Sequence, residues 1–341
     1  MGDTILEKGP LSVLFVGHPM IDMFARVESS VVEVMGVPKG ESSIVDIKAF
    51  DKLSQMVTVE AASPGCSAAN SAFAYAYLGG KASYFGIVGC DEQADVFDKH
   101  MGSDGLDMMT IRKNGDLTSK LYSLVTPDAE RTMYLLIGAS HTLKVGDLDP
   151  AVMDRFDFYS VNGFMFASEE QTDFTHQMVD AALSRGKGII TLLANSFCVR
   201  RNGKYLKPVV DKSAYVSGNI EEFSILFDIK DKAALCDYIA KRTTGDKPTH
   251  KAVIMTMNAE GAIIFYQGKQ FYVPPTGANV VDTTGAGDFF AGSVLYGLLN
   301  GWSVKKASQF ALTVVFDVIS HVGTYLSADV RAKIEALKAE P

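Results

Sequence analysis

The chain has 341 residues, 32 of them basic and 40 acidic, for a net charge of −8. Its 47% apolar and 21% charged composition is that of a globular chain and excludes disordered and collagen-like classes. No basic stripe marks a nucleic-acid binder, no stretch of 18 apolar residues marks a membrane span, and none of the four cysteines sits in C-x-x-C spacing. The N-terminus lacks the layout of a secretion signal, so a cytoplasmic location without nucleic-acid or membrane partners is expected.

The first structured signal is Leu11–Val16, an apolar run ending at Gly17 that reads as a buried strand. Met20–Ile47 follows, rich in β-branched residues and turns and without helical period. Ser67–Leu78 predicts a helix, Ala82–Val88 a strand and Gln93–Met101 a helix. Thr110–Ile137 shares the character of Met20–Ile47. Within it, Lys120–Val125 and the turn Thr126-Pro-Asp-Ala-Glu-Arg131 predict a hairpin. Further strands are expected at Asp157–Val161, Gly188–Leu193, Ala214–Ser217 and Ala252–Met255. Helices are expected at Glu169–Ser184, Glu221–Phe227, Lys232–Lys241, Gly287–Leu299 and Val304–Ser320.

Strands alternating with helices predict an α/β fold: a mostly parallel central sheet flanked by helices on both faces. The two helix-poor segments are expected to pair as a small β-sheet lid. One domain over residues 1–341 results, with a discontinuous lid from about 20–47 and 110–137.

The strongest chemical signal is Val280-Val-Asp282-Thr-Thr284-Gly285-Ala286-Gly287-Asp288. A strand-like Val-Val-Asp enters a glycine-rich turn, and an apolar-periodic helix follows. The N–H groups of Gly285, Ala286 and Gly287 at a helix start form an anion site. Asp288 on the first turn is placed to accept a proton from a hydroxyl that attacks a phosphoryl group. An isolated G-x-G would read as a plain helix cap, but this longer pattern points to chemistry.

The stretch from Asp282 to Asp288 resembles the second signature of the ribokinase-like (PfkB) carbohydrate kinase family, which includes ribokinases, fructokinases and adenosine kinases. The resemblance extends to Gly17-His-Pro-Met-Ile-Asp22, to Pro64-Gly65-Cys66-Ser-Ala-Ala-Asn70 and to Gly86-Ile-Val-Gly89-Cys-Asp91. Leu124–Met133 and Val318–Gly323 are similar to the adenosine-kinase-like branch.

The resemblance implies an ATP-dependent kinase acting on the hydroxymethyl group of a nucleoside, adenosine foremost. A sugar kinase for ribose or a ketohexose is the alternative, and a low-activity ligand-binding or scaffold homologue a third. Asp288 matches the family's catalytic base, and Gly285, Ala286 and Gly287 its anion hole. Asp22, Gly65, Cys66, Asn70 and Asn162 fall at substrate-binding positions. Asn219 and Glu222 match an N-x-x-E motif associated with Mg²⁺ and phosphate, acting partly through water. Read alone, they are a helix-capping pair. Thr256, Asn258, Gly261 and Thr284 fall at ATP-binding positions. Arg131 in the lid hairpin is a candidate phosphate clamp. The family further implies K⁺ as a candidate activator near Asp282, and either a monomer or a homodimer paired through the lid. Cys66 and Asn258 stand where the family carries glycine, Asn162 where relatives often carry Glu, and Leu192–Cys198 is less acidic than in the branch.

Overall fold

The computed structural model describes residues 11–339 except Ala129, Ala278 and Asn279. In chain order its strands are β1 (Ser12–Val16), β2 (Met20–Arg26), β3 (Ser42–Ile44), β4 (Ala61–Gly65), β5 (Lys81–Phe85), β6 (Ile87–Gly89), β7 (Asp107–Met108), β8 (Ile111–Lys113), β9 (Ser119–Val125), β10 (Arg131–Leu136), β11 (Phe158–Asn162), β12 (Gly188–Leu192), β13 (Tyr215–Asn219), β14 (Ala252–Thr256), β15 (Ala262–Tyr266) and β16 (Lys269–Val273). The α-helices are α1 (Ser29–Met35), α2 (Ile47–Met56), α3 (Ser67–Tyr77), α4 (Glu92–Met101), α5 (Glu169–Ser184), α6 (Ser196–Val210), α7 (Ile220–Phe227), α8 (Lys232–Arg242), α9 (Ala286–Leu299), α10 (Val304–Val318) and α11 (Ala328–Ala339).

Nine strands form the main sheet in the order β16-β15-β14-β13-β12-β11-β1-β5-β7. Its pairs from β14 to β7 are parallel, and the hairpin β15–β16 adds an antiparallel edge. Strands such as β1 and β12 are apolar along their length because both faces are covered. One face packs on α3, α9, α10 and α11, the other on α5, α6, α7 and α8. The order reverses between β1 and β11. In open α/β sheets the ligand crevice lies at such a switch point, beyond the carboxyl ends of the strands.

A second sheet has the order β3-β10-β9-β2-β4. Alternation along its strands gives it two distinct faces. Ala25, Tyr122, Leu124, Tyr134 and Leu136 pack on Phe50 and Leu53 of α2, with Val31 and Met35 of α1 beside them. The register places Asp22, Leu121 and Leu135 on the opposite face, with Phe24, Ser123 and Met133 next to them. No helix of the described residues is long and apolar enough to cross a membrane.

Several sequence expectations change. Met20–Ile47 contains α1, and the second sheet also recruits β4, while Ile111–Lys113 pairs with β6 instead. Ala82–Val88 is broken at Gly86, where a Cβ would press on the carbonyl of Gly17 and on Pro19. Val280–Asp282 is not a strand: it is irregular, with Val280 and Val281 exposed. The helices α2, α6 and α11 and the β15–β16 hairpin were not anticipated.

Candidate active site

Helices α3 and α9 pack side by side. At their contact, a Cβ on Gly292 would run into the carbonyl of Ser71. Residues four apart share a helix face. One turn before Gly292 stands Asp288, and one turn before Ser71 stands Ser67. The close approach of the two backbones therefore brings the front ends of both helices together. The Ser67 hydroxyl donates to Asp288 Oδ1 at 2.5 Å, and Asn70 Nδ2 donates to Oδ2 at 3.1 Å. The Ser71 hydroxyl donates to the main-chain carbonyl of Asp288 at 3.0 Å. Burial pushes the Asp288 carboxyl above its usual range, and the two side-chain donors work against that rise.

Gly285 caps α9 in the left-handed region, at φ 75°. A Cβ there would press on Thr324 at 2.9 Å, so glycine is required both by conformation and by space. The first N–H groups of α9 have no intrahelical acceptor. That of Ala286 is turned back onto the carbonyl of Thr283 at 3.2 Å, which leaves Gly287 as the better-placed donor of the expected trio.

A cavity of about 850 Å³ opens in front of this helix start, between the ends of β12, β13 and β14. Asn219, Glu222, Thr256, Asn258, Gly261 and Gly285 to Asp288 line it. Val280, Leu312, Val315 and Ile319 give it an apolar wall. Asn258, at φ 51°, and Gly261 shape the turn after β14. Asn tolerates positive φ better than most residues, which fits its place in this loop. Thr284 contributes differently from expectation. Its hydroxyl is committed to Asp282 at 2.7 Å and to Arg131 Nη1 at 2.7 Å, and the cavity wall is made by Thr283 and Gly285.

Asn219 and Glu222 form a reciprocal cap on α7. Asn219 Oδ1 accepts from the Glu222 N–H at 2.9 Å, and Glu222 Oε2 accepts from the Asn219 N–H at 2.8 Å. The Asn219 amide also donates to Glu222 Oε1 at 2.7 Å. Burial, with Asp288 nearby, pushes Glu222 up to about 7. No cluster of three His, Cys, Asp or Glu side chains able to cage a metal occurs among the described residues. Glu222 lines the cavity, and its carboxylate keeps lone pairs beyond the two that Asn219 fills. That donor set fits a water-mediated hold on Mg²⁺ rather than direct encapsulation.

Asp22 lies within β2, not at the end of β1 as the resemblance suggested. Burial first, and then the neighbouring Asp288, push its carboxyl up to about 7, against the pull of Arg131. Its Oδ1 and the Oδ1 of Asn70 are both buried without a hydrogen-bond partner. Gly65, at the end of β4, lies directly under the Asp22 carboxylate. Arg131, the first residue of β10, reaches Asp282 Oδ1 at 2.9 Å.

Cys66 adopts φ 105° at the cap of α3, with its Sγ 3.5 Å from the Tyr84 hydroxyl. Burial pushes the thiol up, so the helix start does not make it a reactive thiolate. Asn162 does not face the crevice. It is fully buried, donates to the Val16 carbonyl at 2.9 Å and accepts from the Phe164 N–H at 3.0 Å. It ties β11 to β1, and its full burial keeps it out of the cavity lining. Ser67 was not singled out from sequence. It stands inside the Pro64–Asn70 motif, but its partner lies 221 residues away.

The family model of the pfkB family carbohydrate kinases matches residues 12–331. The adenosine kinase of Saccharomyces cerevisiae is 26% identical over 331 residues, covering 92% of this chain and 96% of that protein. The crystal structure of adenosine kinase from Sinorhizobium meliloti superposes with a TM-score of 0.85 at 25% identity, covering 96% of this chain and 99% of that one. A probable sugar kinase from Rhizobium etli superposes equally well, with a TM-score of 0.85 at 27% identity and the same coverage. With the glycine turn, the helix-borne aspartate and the cavity in place, the match over nearly the whole chain shows that this protein belongs to the pfkB family of carbohydrate kinases, ATP-dependent phosphotransferases.

Proposed function

We propose that the chain transfers the γ-phosphoryl group of ATP to the primary hydroxyl of a nucleoside of the adenosine type, with Asp288 as general base. The observation that carries this reading is the convergence on one carboxylate of a helix start, two side-chain donors and two orphaned acceptors. ATP lies in the 850 Å³ cavity, its base toward Val315 and Ile319 and its phosphates toward Gly287. The acceptor sits between Asp288 and the small sheet. The free oxygens of Asp22 and Asn70 call for donors, and a vicinal diol supplies two.

The acceptor oxygen bonds to the γ-phosphorus as the bond to the bridging oxygen breaks. ADP leaves with that electron pair, and the hydroxyl proton passes to Asp288. Kinases of this family generally use Mg²⁺, which neutralises charge on the phosphates when bound; Asn219 and Glu222 are the residues placed to hold it through water. The small sheet acts as the lid that excludes water from the transfer.

The face of the small sheet that carries Asp22 supports a nucleoside over a sugar. Phe24, Leu121, Met133 and Leu135 are half-buried there, an apolar surface suited to a flat base. The likeness to a probable sugar kinase keeps ribose or a ketohexose as a second reading. The outer face of the same sheet is covered by α1 and α2, which supports a monomer over pairing through that face. Coupled ADP release over a panel of nucleosides and sugars tests the acceptor, and adenosine turnover is the expected result. Sugar turnover without nucleoside turnover overturns the first reading. Replacing KCl by a tetramethylammonium salt in the same assay tests activation by K⁺. Asp288→Asn is expected to lower turnover by about 10²–10⁴ with ATP binding retained. Unchanged turnover in that variant removes Asp288 as the base.

A further inference from the structure

Asp288 is held from two sides by one neighbouring helix, and the base role alone does not account for this. We propose that Ser67 is a positioning residue for phosphoryl transfer: its hydroxyl, together with the Asn70 amide, fixes the Asp288 carboxylate in the orientation that receives the acceptor proton. The inference rests on reading Asp288 as the general base.

The geometry is specific. Ser67 makes the shorter of the two side-chain hydrogen bonds, at 2.5 Å, and takes Oδ1; Asn70 takes Oδ2 at 3.1 Å. A carboxylate has about four lone-pair sites. Two are filled from α3, which leaves two for a partner in the cavity that Asp288 lines. Ser67 itself lines the nucleotide cavity beside Gly287 and Asp288. The Ser71 hydroxyl holds the main chain of Asp288 from the same helix, and Gly292 sets the spacing that makes all three bonds reachable. Backbone and side chain of the base are thus both fixed by α3.

Electrostatics explains why such a clamp is needed. Asp288 faces two further carboxyls, Asp22 from β2 and Glu222 from α7, and its charge raises the pKa of both. Arg131 from β10 is engaged with Asp282. Burial also opposes ionisation. Donors from Ser67 and Asn70 favour the charged form that a base requires. A base held at a fixed angle also avoids the loss of about 100-fold that misplacement by an ångström can bring.

The test uses the full-length chain. Ser67→Ala is expected to lower kcat about 10- to 100-fold, with KM for ATP and acceptor within about twofold of the wild type. The acid limb of the kcat profile should move to higher pH, because a lost donor raises the pKa of the base. Carbon-13 titration of the Asp288 carboxyl should show the same upward move without any acceptor present. Ser67→Thr, which keeps the hydroxyl, should restore most of the rate. Should Ser67→Ala fail to fold, Ser67→Cys keeps the size with a weaker donor and gives the same signature at smaller amplitude. An unmoved acid limb with an unmoved carboxyl titration overturns the proposal. A rise in acceptor KM at constant kcat also overturns it, since it makes Ser67 a substrate contact. If Asp288→Asn leaves turnover intact, the base reading itself fails; if Asp288→Asn is inactive and Ser67→Ala is normal, only the present inference fails.

Discussion

Arg131 and Asp282, 151 residues apart in the chain, form an ion pair that joins the small sheet to the glycine turn before α9. The guanidinium bonds Asp282 Oδ1 at 2.9 Å and the Thr284 hydroxyl at 2.7 Å, and Asp282 is largely buried. Hydrogen bonds from Thr284 and Arg131 outweigh burial and hold Asp282 below the usual carboxylate range. Arg131→Ala therefore loses a tie between sheet and turn as well as a charge. The expected outcome in steady-state kinetics is a fall in kcat/KM of about 10- to 100-fold, together with more ATP hydrolysis per acceptor phosphorylated. Arg131→Lys should recover only part, since an ammonium does not reproduce the planar two-point fork. Unchanged coupling in Arg131→Ala would refute this.

Asp22 lends itself to a pH test of stability. Its carboxyl is raised to about 7 in the folded chain, against 3.8 for an unperturbed aspartate. The folded state therefore binds the proton more tightly than the unfolded state between those values. Stability from this group is present below pH 4 and lost as pH rises toward 7. Asp22→Asn removes that loss. The variant should be more stable than the wild type by about 2 kcal/mol at pH 8, after discounting for residual solvent, and nearly equal to it at pH 4. Acceptor KM should rise at the same time. Urea denaturation at the two pH values checks the first part, and an equal gain at both would contradict it.

Glu222 separates capping from charge. Gln at the same position keeps an oxygen for the Asn219 N–H but turns its own amide toward the Asn219 amide that Glu222 Oε1 accepts, so the cap on α7 is kept only in part. Glu222→Gln should change Tm by no more than a few degrees, because the lost hydrogen bond and the removed buried charge oppose each other. The Mg²⁺ concentration for half-maximal rate should rise several-fold. A large drop in Tm with an unchanged Mg²⁺ requirement would assign Glu222 to the helix alone.

Cys66 carries a side chain at φ 105°. Holding a non-glycine residue there costs about 1–3 kcal/mol. The contact of Sγ with Tyr84 offsets part of it. Cys66→Gly relieves the strain but frees the unfolded chain, so its stability should lie within about 1 kcal/mol of the wild type. Cys66→Ala keeps the strain and loses the sulfur contact, and should be the least stable of the three. Denaturant midpoints give the order directly; Ala above Gly would show that strain is not the governing quantity.

What could be read from sequence was what is local. The turn at Gly285 and the helix start at Asp288 are written in consecutive residues, as are the periodic runs of α5 and α9. The buried strands β11 and β12 stood out as continuous apolar stretches. Helix α6 stayed hidden because Gly203 and Pro208 interrupt its propensity while packing still holds it. The bond of Ser67 to Asp288 depends on a helix contact made at Ser71 and Gly292, and no neighbour in sequence announces it. Asn162 was misplaced for a related reason: its amide serves Val16, a residue brought alongside only by the β1–β11 register.

Gly65 and Asp22 occupy one volume between them: the carboxylate of one fills the space that a methyl on the other would need. Their histories are thus bound together. A descendant that gains a side chain at position 65 must turn the acid at position 22 aside or give it up. A descendant that has lost the acid no longer has reason to keep the glycine. Among sequences descended from this one, the pair should persist or vanish as a unit.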